Sequence, residues 1–394
     1  MEDRQRPADT MKWQAELACE RRALMNSMNP TPLAWNKLRV FPLATRNSLT
    51  SVDEILIDPE TPPPPVGESI LAQIGACAAR IRAARSRGAG VILMYGAHLL
   101  RNGAPLILAR LMERGWLTHL ATNGAGTIHD WEYAWLGRST ESVRENVATG
   151  SFGAWEETGR TLHVALMAGA LRGNGYGTSL GRFIQEDGVD LPSTGSLRGE
   201  ITREPGHPLT AARADLLRAM ETQGIVGGRY SLRHGWKQAS ILASANRLDV
   251  PVTVHPGIGY DIISNHPMFN GAVIGRAAEL DFRLFGNSVE TLDHGVLLSV
   301  GSAIMAPQVF EKSLSCVNNL RLGAGRDIVC GHTICVVDLQ NGGGWDWSQG
   351  EPPKTNPAYY LRFNKSFARM GGDLRYLQCD NRTFVHHLLY ALEG

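Results

Sequence analysis

One pattern recurs along this chain and limits its fold more than anything else: a short apolar run that breaks at once into a glycine, asparagine or aspartate turn. The clearest pair lies between Val91 and Glu132. There VILMYGAHLLRNGA is followed by a helical segment and then by LTHLATNGAGTIHDWE. The pattern returns as VPVTVHPGIGYD, GVLLSVGSA, DIVCGHTICVVDLQNGGG and LRYLQCDN. Uniformly apolar, β-branched runs fit strands buried on both faces, and the helical periodicity between them supplies the cover. Ile70, Leu71, Ile74, Ala78 and Ile81 recur every three or four residues, predicting a helix from Glu68 that stops near Gly88-Ala89-Gly90. Pro105 to Arg114 reads as a second helix, with Pro in its first turn and Gly115 as its stop. Helices near Thr210–Gln223 and Ala239–Asn246 complete the set. The expected fold class is α/β: a mostly parallel, doubly wound sheet with helices on both faces, three layers α/β/α.

A chain of 394 residues, 43% of them hydrophobic, can bury a large core. Its 39 Lys+Arg against 38 Asp+Glu give no bias toward nucleic acid or membrane. The six cysteines are far apart with no CxxC, which suggests reduced thiols in a cytoplasmic protein rather than a disulfide frame or a zinc site. No metal is expected. The charged start, MEDRQRPADTMKW, lacks an apolar signal region, and no run approaches a membrane span. Residues 1–66 read as an N-terminal arm or cap ending in the Pro-rich connector Asp58 to Gly67, and 67–394 as the α/β domain. Within it, the Gly- and Ser-rich stretch 169–208 shows little periodicity and is expected to be helix ends joined by a long loop of the kind that serves as a lid.

The turns carry the chemistry. Gly96-Ala97-His98, Asn123-Gly124-Ala125-Gly126, Gly259-Tyr260-Asp261, Gly301-Ser302-Ala303 and Cys379-Asp380-Asn381 each follow an expected strand. Helices starting there point unpaired N–H groups at a phosphate, and a strand-tip carboxylate can hold a ribose hydroxyl, so a dinucleotide satisfies both demands. Glycines also end strands in any α/β protein, and GxGxxG is absent because Gly124-Ala125-Gly126 lacks the third glycine. His129, in His-Asp-Trp-Glu, reads as one half of an acid/base pair or as part of a capped helix start. His255 and His266 bracket Asp261 and suit polar contacts to a ligand or a structural turn. Adjacent His386 and His387 cannot share a metal from one helix. Three glycines before Trp345-Asp346-Trp347 give a loop suited to a cationic amine. Lys365, flanked by Phe363 and Phe367, is a candidate nucleophile if apolar surroundings lower its pKa.

In order and spacing these motifs resemble the deoxyhypusine synthase family, from about Glu68 to the C-terminus, which implies a Rossmann-like NAD-binding three-layer α/β/α fold. MYGAHLLRNG is similar to a family strand-turn segment, which implies that Ala97, His98 and Asn102 lie near NAD. By the same resemblance Asn123, Gly124 and Ala125 contact the cofactor, as do Gly301, Ser302 and Ala303. Asp261 takes the place of a carboxylate on an NAD ribose, and Asp380-Asn381 resembles a closing pair at the adenosine. Gln340 and Asp346 fall in the segment that holds the amine, so Asp346, Trp345, Trp347, Phe363 and His266 would bind substrate. Phe363-Asn364-Lys365 resembles the segment with the catalytic lysine, and His129 stands where the family has an acid. The departures are equally specific: Pro307 replaces a catalytic histidine, and His266 a substrate-binding aspartate. The resemblance implies an NAD-dependent transferase that moves an aminobutyl group from a polyamine such as spermidine, through an imine on Lys365, to a protein lysine or a free amine. It also implies a homotetramer. Two further readings are a sirtuin-like enzyme that consumes NAD, against which stands the lack of a four-cysteine zinc module, and a non-catalytic NAD sensor, which Pro307 favours.

Overall fold

A computed structural model describes residues 32–394. The chain divides into two compact units, the first ending at Leu38 and the second running from Arg39 to Gly394. Of the first, the described residues carry a single 3-10 turn, Trp35–Lys37. The remainder of the expected arm, 1–31, lies outside the described residues. Residues 39–66, also expected in that arm, are part of the second unit. Phe41 bridges to Trp155, Thr50–Ser51 pairs antiparallel with Arg138–Ser139, and Leu43, Val52 and Ile57 are buried in the core.

The second unit is built on six parallel strands: β1 Val91–Tyr95, β2 His119–Thr122, β3 Val252–Val254, β4 Val296–Val300, β5 Thr333–Asp338 and β6 Asp373–Gln378. Their spatial order is β6-β5-β4-β1-β2-β3. The chain starts at the centre, winds outward to β3, and returns to the other side of β1 to lay down β4, β5 and β6. Neighbouring strands β1 and β4 therefore send their connections in opposite directions, which opens a crevice at their carboxyl ends. This is the expected three-layer α/β/α fold.

Both faces of the sheet are covered, and β1 shows why its sequence is apolar throughout. Val91, Leu93 and Tyr95 belong to one core, with Ile74 and Ile81 of helix α1 (Glu68–Ser86) and Ile107, Leu108 and Leu111 of α2 (Pro105–Glu113). Ile92 and Met94 face the other core, with Phe285 and Phe310. Further helices are α3 Gly124–Leu136, α4 Glu156–Ala170, α5 Tyr176–Glu186, α6 Thr194–Arg203, α7 Thr210–Gln223, α8 Ile241–Arg247, α9 Gly271–Val289, α10 Met305–Gly323 and α11 Asn381–Glu393. Phe285 lies on α9 and Phe310 on α10, so these two helices cover the second face.

The stretch 169–208 is not the long loop its composition suggests. It holds α5, the strand Gly188–Leu191 paired antiparallel with Gly228–Ser231, and α6. Several of its glycines serve close packing. A Cβ on Gly181 would sit 2.5 Å from the Leu242 carbonyl oxygen, and one on Gly177 would strike the Val252 carbonyl. Only glycine lets α5 approach α8 and β3 this closely.

Candidate functional site

The turns after β1 and β4 meet at the crevice. Gly96 N–H donates to the Val300 carbonyl at 3.2 Å, and a side chain on Gly96 would run into the Gly301 carbonyl. Gly301 has φ 60°, a left-handed conformation that suits glycine. Asn102 Nδ2 donates to Asn381 Oδ1 at 2.7 Å, and a Cβ on Gly301 would lie 3.2 Å from Asn381 Nδ2. The ends of β1, β4 and β6 thus bring Ala97, Asn102, Gly301, Ser302 and Asn381 into one neighbourhood. Ser302 Oγ accepts from Ala306 N–H at the start of α10. Ala303 follows in the same turn, and His98 is exposed on the short helix His98–Arg101. Asp380 caps α11, its Oδ1 accepting from Thr383 N–H at 3.0 Å.

The ends of β2 and β3 form a second cluster. Asn123 caps α3 by accepting from Gly126 N–H at 2.9 Å. Asp261 is buried against the same helix start. Its Oδ1 accepts from Ala125 N–H at 3.1 Å and its Oδ2 from Gly257 N–H at 2.7 Å. Burial pushes the Asp261 carboxyl up, and the Gly257, Ala125 and Gly124 amides oppose that shift. A Cβ on Gly124 would sit 2.5 Å from the carboxyl carbon. The carboxylate expected on a ribose therefore fills the N-terminus of α3, the place a phosphate would otherwise take.

Beside these turns lies a cavity of about 250 Å³, bordered by Arg101, Ala125, His129, Phe152, Tyr260 and Ile262 among others. His129 is its most informative wall. Ser139 Oγ donates to Glu132 Oε2, so its oxygen accepts from His129 Nδ1–H at 2.7 Å, which leaves the Nε2 lone pair free. Glu132 is itself held by Arg46 through two bonds of 2.9 and 2.8 Å and by Thr158 Oγ1 at 3.0 Å. Burial lowers the His129 pKa to about 4, with Glu132 pulling the other way. The imidazole is neutral at pH 7 and can accept a proton. Arg101 has no side-chain ion pair among the described residues, whereas Arg46 is neutralised by Glu132. Sequence reasoning misses Arg46, Arg101 and Ser139. Only the Glu132 position, one helical turn after His129, carries a local signal.

The other expected substrate residues lie elsewhere. His266 is buried, with Nδ1 accepting from Met268 N–H at 3.1 Å and Nε2 3.2 Å from Glu156 Oε2. That is a structural role. His255 is buried too, 3.1 Å from Thr253 Oγ1, and burial lowers its pKa to about 4. Phe363 packs in the core beside Tyr376. Trp345, Asp346 and Trp347 border a separate cavity of about 300 Å³ with Gln73, Arg80 and Arg375, which shares no lining residue with the first. Asp346 folds back on its own turn, accepting from Ser348 N–H at 3.0 Å and Ser348 Oγ at 2.7 Å. Lys365 Nζ lies 3.8 Å from the centre of the Tyr359 ring. The chain itself does not bring these residues to the crevice. Among the described residues, no group of three or more His, Cys, Asp or Glu is placed to hold a metal, and no helix is long and apolar enough to cross a membrane.

No family model and no curated protein matches the chain. Solved structures show a distant likeness. AgrE in its ternary complex with ornithine and NAD+ is 12% identical with a TM-score of 0.42, over 83% of this chain and 34% of AgrE. The chain thus spans about a third of the length of the first solved structures it matches. A conserved putative LOR/SDH protein from Methanococcus maripaludis S2 is 13% identical with a TM-score of 0.39, over 90% of this chain and 76% of that one. A putative deoxyhypusine synthase from Entamoeba histolytica is 8% identical with a TM-score of 0.31, over 70% and 81%. These likenesses concern the fold alone.

Proposed function

We propose that this chain is an NAD-binding enzyme that oxidises an amine substrate in the cavity bordered by His129. The observation that carries the reading is the sheet order β3-β2-β1-β4-β5-β6 with two glycine turns in contact at its reversal. The residues there fit a dinucleotide. Gly96 and Gly301 leave room for backbone to approach a ligand, and Asn102, Ser302 and Asn381 supply polar groups. Because Asp261 occupies the start of α3, the phosphates belong at the β1 and β4 turns. Bound NAD would supply the hydride acceptor for oxidation of a substrate carbon.

The chain's own groups then have defined tasks. His129 Nε2 takes a proton from the amine, and the Ser139–Glu132 pair holds the ring in the tautomer that can do so. Arg101 would repel a polycation and pair with an anionic group, so the amine that fits best also carries one. Ile262 and Phe152 give the cavity apolar walls that limit water. Aminobutyl transfer from a polyamine, with Lys365 as carrier, is the finer form of this reading. It asks a second copy of the chain to present Lys365, since within one chain that residue lies at Tyr359.

The test is direct. Titrating the protein with NADH should quench tryptophan fluorescence with saturation, and incubation with NAD and a panel of amines should produce NADH absorbance with carboxylate-bearing amines ahead of spermidine. Absence of saturable binding of NAD(H) and NADP(H) would remove the dinucleotide site. Binding without turnover, and without any effect of His129→Gln, would leave a sensor.

A further inference from the structure

We propose that Cys77 and Cys335 are a modification site that a hydroperoxide converts to a disulfide. The two residues sit mid-helix in α1 and mid-strand in β5, far apart in sequence, yet their sulfurs are 3.4 Å from each other. A disulfide needs about 2.05 Å, so the two sulfurs have to close by about 1.4 Å. Both residues are buried, at 2% and 1% exposure, but both also border the cavity of about 300 Å³ beside Trp345 and Trp347. An ordinary core pair of thiols has no such opening. A peroxide is small enough to enter, and the Arg80 guanidinium on the same wall opposes, without overcoming, the burial and the Cys335 contact that keep the Cys77 thiol protonated.

The chemistry balances. One sulfur attacks a peroxide oxygen, forming a sulfenic acid as the O–O bond breaks and one water, or alcohol, leaves. The second sulfur displaces hydroxide from that sulfenic acid, forming the S–S bond and releasing water. Two electrons pass from the thiols to the peroxide. The hydrogen bond to Cys335, and burial, hold the Cys77 thiol well above its ordinary value, so the exposed Cys316 and Cys330 react first.

The full-length protein, freed of reductant, is treated with hydrogen peroxide, alkylated after unfolding and mapped by peptide mass spectrometry. The expected product is one cross-linked peptide joining Cys77 to Cys335, lighter by two hydrogens and reversed by dithiothreitol. Cys77→Ser and Cys335→Ser should each abolish it. The wild-type map alone decides the matter even if a variant fails to fold. Full alkylation of Cys77 and Cys335 after Cys316 and Cys330 have oxidised, separate sulfinic acids at the two positions, or a cross-link to another cysteine would each overturn the proposal.

Discussion

Replacing Glu132 by glutamine tests the support behind His129. Both carboxylate oxygens face Arg46, at 2.9 and 2.8 Å, and both partners are buried. Each oxygen also accepts a hydroxyl, Thr158 on Oε1 and Ser139 on Oε2. Glutamine keeps the shape, but its NH2 must point at a guanidinium N–H in either orientation, and Arg46 loses its counter-charge. Breaking one side of a buried ion pair costs about 3–5 kcal/mol. At about 1.4 kcal/mol per tenfold, that lowers the folding constant by two to four orders of magnitude. Urea unfolding of wild type and E132Q, followed by tryptophan fluorescence, reads the midpoint. A companion pair, Arg46→Met with Glu132→Leu, removes both charges and should recover much of the loss. A cost below about 1 kcal/mol for E132Q would show that Arg46 does not depend on this carboxylate.

Gly96→Ala forces the β1 and β4 turns apart, so stability should fall by about 1–3 kcal/mol and NAD affinity at least tenfold; an unchanged Kd contradicts the crevice as the binding site. Asp261→Ala leaves the Ala125 and Gly257 amides unpaired, at about 1–3 kcal/mol each, measurable by denaturation. If neutral His129 is the base, as proposed, burial that lowers its pKa to about 4 means that kcat/KM should hold as pH falls through 6.5 and drop only near 4; an acid limb near neutrality would exclude it. Buried His119, His163 and His255, lowered by burial to between about 3 and 4, contribute stability that is present above 6.5 and lost as pH falls toward 4. Asp130 and Asp281, raised from 3.8 to about 7 by burial, act the other way, since their contribution is full below 3.8 and lost as pH rises through 7. With His129 the histidines outnumber them, so Tm should fall from pH 7 to 5; a rise would reverse the assignment.

The strands are legible in the sequence because a parallel strand with cores on both sides is apolar nearly throughout, as Val91–Tyr95 is and as Val296–Val300 is except at Ser299. The turn residues are legible too, since a doubly wound sheet puts its carboxyl-end turns together whatever lies between them. Glycine is ambiguous: Gly177 and Gly181 serve close helix packing, and the same letter at the same density suggests a loop. The Arg46–Glu132 pair joins residues 86 positions apart and leaves no local signature. Asp261 falls at the expected turn, but its bonds to backbone amides depend on how the loop after β3 curls over α3, which periodicity does not report. Lys365 and Asp346 stand out for chemistry alone, and chemistry does not fix which cavity a loop borders.

The pairing of Val91 with Val296 also sets the order of assembly. These partners are roughly 200 residues apart, so closing that loop is slow and comes after the local hairpins and helix pairs have formed. During synthesis, β1 waits with one edge unpaired until the last quarter of the chain emerges. Conditions that delay that final docking should yield aggregates rather than a partly folded monomer.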